Sequence, residues 1–232
     1  MNRFFLLVTA LLLLAACSQA TPAPAEPTGT TAAAAPAPVP AAAEGFRTFA
    51  VVPEESTASY LVNEEFFADA LRKYNIAVGK GVTIGSTQTV QGFLQLDLAG
   101  EQPLGENRFV VDLTGLTSDQ SLRDGWLRDN ALESNQFPEA VFVASSIAGA
   151  PENYTEGDEA TFQLVGELTV RSISLPVTFD VTATLSRDTI RGVAEANVKM
   201  SDFGVTPPNF ANTLVVTDLF TIRMELTAKE QK

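Results

Sequence analysis

Beyond residue 45 apolar and polar side chains trade places at every second position through most of the chain. That is the period of a strand with one covered face. Val90, Gly92, Leu94, Leu96 and Leu98 fall on one side, opposed by Gln91, Phe93, Gln95 and Asp97. Phe109, Val111 and Leu113 alternate with Arg108, Val110 and Asp112, and Phe142 and Ala144 with Val141 and Val143. Phe162, Leu164, Gly166, Leu168 and Val170 share a face, as do Val177, Phe179, Val181, Ala183 and Leu185. A last strand is predicted from Leu214 to Ala228, with Leu219, Thr221, Arg223 and Glu225 opposed to Phe220, Ile222, Met224 and Leu226. The pattern implies about eight strands, a number that commonly closes into a barrel because closure leaves no exposed edge. The expected fold class is all-β, an eight-stranded antiparallel barrel with short helical insertions. Such a barrel is either filled by its own side chains or holds one small ligand.

Two stretches break the alternation. Glu65 to Tyr74 has Phe67, Ala70, Leu71 and Tyr74 at helical spacing and reads as a short helix. Thr117 to Gln136 reads as helix and turn, with Ser118 or Asp119 placed to cap it and Leu122, Trp126 and Leu127 as its apolar stripe. This insertion carries the only tryptophan of the chain. Trp126 either plugs the barrel end as ordinary core or lies as a lid over a cavity.

The chain starts with a different pattern. Arg3 precedes an apolar run that ends in Leu14-Ala15-Ala16-Cys17, the layout of a secretory signal whose cleavage site is followed by cysteine. From Phe4 to Ala16 the run is 13 residues, short of the roughly 20 that span a bilayer. Cys17 is the sole cysteine, so no internal disulfide can form, and lipid attachment accounts for it better than an idle thiol. The expectation is a bacterial lipoprotein: residues 1–16 a signal peptide, Cys17 acylated, and the product held at the cell envelope on a periplasmic or outer face. Residues 17–45 form the lipidated cysteine and a linker of Ala, Pro and Thr, whose prolines prevent a helix and which has little to bury. The 28 residues after Cys17 reach about 85 Å if polyproline-like, at about 3.1 Å per residue. Residues 46–232 form the single folded domain.

Composition narrows the chemistry. Loss of residues 1–16 removes Arg3 alone and leaves 14 Lys and Arg against 28 Asp and Glu. So acidic a chain is a poor partner for nucleic acid or anionic lipid head groups. With no histidine at all, His general bases, Ser-His-Asp triads and His-ligated metals are excluded. Cys17 alone cannot build a zinc or iron–sulfur site. No P-loop, G-x-S-x-G, G-x-G-x-x-G or D-x-D-x-D-G stretch is present, and no cofactor is expected.

Four stretches resemble the YceI-like family, over nearly all of residues 46–232. Val52-Pro53-Glu54-Glu55-Ser56 is similar to its Asp-Pro-x-His-Ser opening. Ser121 to Leu127, with Arg123-Asp124, then Glu133 and Phe137-Pro138 to Phe142, resembles its most specific block. Gly166 to Val170 with Leu175-Pro176-Val177, and Ser201-Asp202-Phe203-Gly204, resemble the other two. Two positions depart: Glu55 stands for the family's His, and Met200 for the Arg before Ser-Asp-Phe-Gly. The resemblance implies a lipocalin-like barrel that holds a polyisoprenoid or related apolar lipid and has no catalytic residues. It also favours the lid reading of Trp126. The lining candidates are then Phe109, Trp126, Phe142, Phe162, Leu168, Phe179, Phe203 and Phe220, with Phe93 or Leu94 besides. Arg123 and Asp124 either meet a polar head group or form an ordinary structural pair. Phe203 and Phe210 flank Pro207-Pro208 and either gate the mouth or pin the loop.

Three functions compete at this stage. The first is membrane-tethered, non-catalytic binding, storage or transport of such a lipid. The second is a structural or interaction barrel with a filled core. The third is an enzyme using carboxylates alone, Asp124, Asp129 and Glu133, which requires two of them to converge. The oligomeric state is not legible.

Overall fold

The computed structural model describes residues 38–41, 43–67, 72, 79–97, 103–210 and 213–231, all within the unit Pro36–Lys232. Among the described residues eleven strands form one antiparallel sheet. They are β1 (Arg47–Val51), β2 (Thr57–Phe66), β3 (Lys80–Thr87), β4 (Val90–Leu96), β5 (Leu104–Asp112), β6 (Glu139–Ala148), β7 (Glu159–Val170), β8 (Ile173–Ser186), β9 (Thr189–Lys199), β10 (Asn209–Phe210) and β11 (Leu214–Glu230). One helix, α1 (Ser121–Trp126), runs into a π-helical turn at Leu127–Ala131.

The sheet order is β1-β4-β5-β6-β7-β8-β9-β11-β2-β3, and β1 also pairs with β11. That extra pairing closes a ring of eight strands: β1, β4 to β9, and β11. The all-β, eight-stranded antiparallel barrel is therefore the fold. The additional strands arise because β11 gives one edge to two partners. Its first part, Leu214 to Glu225, pairs with β2, and its end, Ala228 to Glu230, pairs with β1. Between them the neighbouring chain bulges into a 3-10 turn at Pro53–Glu55. Ser56 repairs the ladder there. Its hydroxyl donates to the Val52 carbonyl at 2.7 Å and accepts the Thr227 N–H at 3.1 Å, with 2% of the residue exposed.

The opposite wall splits in the same way. β4 continues the ring through β1 and β5, whereas β3 pairs with β2 and meets the β5–β6 connection only at the Ser86–Thr117 bridge. The ring is thus tight at the β1–β4 end and spreads at the β2–β3 end. Residues 113–138, with α1, occupy the spread.

β8 alternates as its sequence implies, with Val177, Phe179, Val181 and Leu185 buried. β4 does not. Val90 faces the main core, but Phe93 and Gln95 on the other side are also buried, at 4% and 3% exposure. Residues from the end of the expected linker reach that side. Gln95 donates to the Ala41 carbonyl at 3.0 Å, and a Cβ on Gly105 would stand 2.7 Å from the Phe46 ring. Leu98 lies outside the described residues.

Two local expectations change. β2 runs on through Glu65 and Phe66, so no helix starts there. Arg72 is helical, and the rest of that stretch beyond Phe67 lies outside the described residues. Neither Ser118 nor Asp119 caps α1. The cap position is Gln120, and Ser118 instead gives both its N–H and its hydroxyl to the Asp124 carboxylate, at 2.9 and 2.6 Å.

The Ser56 linkage yields a first prediction. Ser56→Ala leaves the buried Thr227 N–H without its acceptor and lowers unfolding free energy by about 1–3 kcal/mol, measured by denaturant titration.

Candidate ligand-binding cavity

The described residues leave the interior unfilled. A cavity of ≈ 760 Å³ lies on the β2 side of the barrel, within the range of about 300–1,000 Å³ typical of pockets for one small ligand. Its wall is built by inward positions of successive strands: Phe109 and Val111 on β5, Phe142 on β6, Leu164 and Leu168 on β7, Phe179 on β8, and Phe220, Ile222 and Met224 on β11. Phe142 and Phe179 meet edge-on, with ring centroids 4.9 Å apart. The Phe142 ring lies across Gly166. A Cβ there would come within 2.7 Å of the ring and 2.3 Å of the Val143 carbonyl oxygen, so only glycine lets the aromatic wall form.

The mouth is covered by two segments. α1 supplies Trp126, and the chain after β9 supplies Phe203 and Phe210. All three line the cavity. Trp126 and Phe210 touch edge to face at 5.7 Å. The turn Ser201–Phe203 is held by Asp218, which accepts the Ser201 N–H at 2.9 Å and its hydroxyl at 2.7 Å. These bonds keep the Asp218 carboxyl below its ordinary value. Gly204 follows at φ 70°, and Phe203 is left 3% exposed. Arg171, at the tip of the β7–β8 hairpin, joins the two covering segments. It donates to Glu133 at 2.5 Å and to the Gly204 carbonyl at 3.0 Å.

One polar patch interrupts the apolar wall. Arg123 on α1 donates through Nε and Nη2 to the two oxygens of Glu64 on β2, at 3.1 and 2.9 Å. Its Nη1 donates to Ser118 Oγ at 3.0 Å and to Asp119 at 2.5 Å. The Glu64 side chain is only 5% exposed. Burial works against the Arg123 charge, but the bond to Asp119 and the attraction to Glu64 more than offset it and raise its pKa. Tyr60 lies beside them, its hydroxyl buried and its ring packed over Gly85, where a Cβ would stand 2.2 Å from ring carbon. Burial pushes its phenol up to about 12, against the lowering effect of Arg123.

Of the sequence-derived lining candidates, Phe109, Trp126, Phe142, Leu168, Phe179, Phe203 and Phe220 lie on this cavity. Phe162 does not; it is partly buried and packs against the main core at the far part of β7. Neither Phe93 nor Leu94 reaches the cavity, since Leu94 packs with Phe49 at the tight end. Arg123 lines the space, but Asp124 turns away to Ser118. The three carboxylates of the enzymatic alternative have separate engagements: Asp124 with Ser118, Glu133 with Arg171, and Asp129 exposed. Glu55 stands outside the cavity and pairs with Arg191 and Lys229, whereas Met200 lines it. Residues 1–37, Cys17 among them, lie outside the described residues. Glu64 and Tyr60 were missed by sequence reasoning. The alternation Ala58, Tyr60, Val62, Glu64, Phe66 is the signal that places both inward.

The family model for the YceI-like domain matches residues 49–228. No curated protein sequence matches the chain. Among solved structures, BcnA of Burkholderia cenocepacia is similar at 19% identity with a TM-score of 0.57, covering 77% of this chain and 99% of that one. A polyisoprenoid binding domain from Saccharophagus degradans, implicated in plant cell wall breakdown, is 14% identical with a TM-score of 0.59, covering 79% and 98%. The Campylobacter jejuni YCEI protein is 15% identical with a TM-score of 0.50, covering 64% and 85%. At these identities the likeness to the solved structures is one of fold.

The polar patch generates two expectations. Arg123→Met strands a buried carboxylate and costs up to about 3 kcal/mol, much of which the double change Arg123→Met/Glu64→Leu restores, read by chemical unfolding of all three proteins. Tyr60 stabilises the fold fully below about pH 10, the usual tyrosine value, and loses that contribution between about 10 and 12, where only the unfolded phenol ionises. An ultraviolet titration of the parent against Tyr60→Phe should show one phenol near pH 12 missing from the variant.

Proposed function

Because the chain belongs to the YceI-like domain family, we propose that its barrel binds a long apolar lipid, a polyisoprenoid or related compound, without transforming it, while Cys17 tethers the protein to a bacterial membrane. The observation that carries this reading is the ≈ 760 Å³ cavity, aromatic and aliphatic along its wall and polar at one patch. The fold-level likeness to a polyisoprenoid binding domain supports the choice of cargo. A filled structural barrel accords less well with a space of that size.

Energetics fit a carrier or store. Burying a methylene from water stabilises by about 0.8 kcal/mol, so a long tail taken from water would be held almost irreversibly. A lipid taken from a bilayer leaves one apolar medium for another, and the transfer is close to neutral. Exchange then depends on encounter with the membrane, which a tether promotes. The signal-like start and the single Cys17 support the tether. Among the described residues no helix is long and apolar enough to cross a membrane. The family resemblance supports binding rather than catalysis.

The test is mass spectrometry of a solvent extract of the Cys17→Ser protein, purified without detergent so that no acyl anchor contributes. An isoprenoid or other long-chain lipid near one per protein is expected. Ala140→Phe, which places a ring in the cavity, should lower the recovered lipid several-fold. A clean extract that stays clean after incubation with membrane lipids would overturn the reading.

A further inference from the structure

Resting on the reading above, the charges around the polar patch say which head group the cavity accepts. Among the described residues that line it, Arg123 is the only cation. All three guanidinium nitrogens are engaged: Nε and Nη2 with Glu64, and Nη1 with Ser118 and Asp119. Glu64 balances the Arg123 charge, and Asp119, a second carboxylate on the same cation, leaves the lining one negative charge in excess.

An anionic head finds no free cationic fork among the described residues of the lining. A phosphate binds arginine best through a two-pronged fork, but here Glu64 already holds that fork at 2.9 and 3.1 Å. Evicting Glu64 would strand a carboxylate that is 5% exposed beside an apolar wall, a costly arrangement. The Ser118 N–H just ahead of α1 is taken by Asp124. On the other side of the mouth the cavity meets Met200, Phe203 and Phe210, which offer no charge.

An uncharged head fits better. Each carboxylate oxygen of Glu64 and Asp119 has a further lone pair to accept a hydroxyl proton, and the Gln120 amide on the same lining can donate or accept. We propose that this cavity selects lipids with an uncharged, hydrogen-bonding head, such as an alcohol, and discriminates against prenyl phosphates and other anionic heads.

The experiment compares two probes with one tail, farnesol and farnesyl diphosphate, on the Cys17→Ser chain. Binding is read by emission of Trp126, the sole tryptophan, which lines the cavity. Farnesol is expected to bind at least about tenfold more tightly. Glu64→Gln and Asp119→Asn each leave Arg123 with charge to spare and should narrow that ratio severalfold by strengthening diphosphate binding. Asp119→Asn alters a side chain that is 73% exposed, so it tests the idea even where Glu64→Gln perturbs folding. Equal or tighter binding of the diphosphate to the parent would overturn the head-group inference while leaving lipid binding intact. An unchanged ratio in a folded Asp119→Asn protein would also overturn it. Failure of both probes, together with a clean lipid extract, would instead overturn the binding reading beneath it.

Discussion

One strand edge with two partners governs the architecture. The seventeen-residue β11 pairs with β9 from Leu219 to Lys229 along one side, and on the other it must serve β2 and then β1. The chain between those partners has to leave the ladder and rejoin it. The 3-10 turn takes up the slack, and the Ser56 hydroxyl supplies the bonds that the interrupted ladder lacks. Everything particular to the site follows from that split. The β1 branch closes the ring, and the β2 branch carries Tyr60 and Glu64 into a widened end that needs a separate cover.

The cover and the ion pair are consequently one construction. An acidic side chain on an inward strand position would be intolerable in an apolar barrel without a cation. Arg123 comes from α1, the element that fills the widened end, and so ties that element to the wall it covers. Arg171 does the equivalent from the hairpin tip, binding Glu133 beyond the π turn and the carbonyl of Gly204 in the turn after β9. Two guanidinium groups hold the covering segments by charge-assisted bonds while the cavity beneath stays apolar.

Much of the barrel was legible because its period is local. β7 and β8 show alternation that survives into the burial pattern, and most of the inward aromatics could be read directly. β4 was ambiguous because both of its faces are covered, one by residues near Ala41 and Phe46. The end of β2 was misread because Glu65, Phe66 and Phe67 lead into helical spacing, and strand pairing with β11 overrides that propensity. Glu64 escaped notice for a different reason. Its partner lies 59 residues away in sequence, and no local pattern announces a long-range ion pair. Arg123-Asp124 showed the reverse difficulty: adjacent residues invited one shared role, but the start of α1 sends their side chains in different directions.

The departure of β3 from the ring bears on how the protein deforms. Along β7, β8 and β9 every strand is laddered on both sides, so that wall is stiff. β3 is laddered to β2, and its far edge meets the β5–β6 connection through the single Ser86–Thr117 bridge. Compliance is thus concentrated in one seam that borders the covering helix. Amide exchange would be slow across the β7–β9 wall and fast along that seam, and the cross-section can widen there by giving up two backbone bonds rather than a whole ladder.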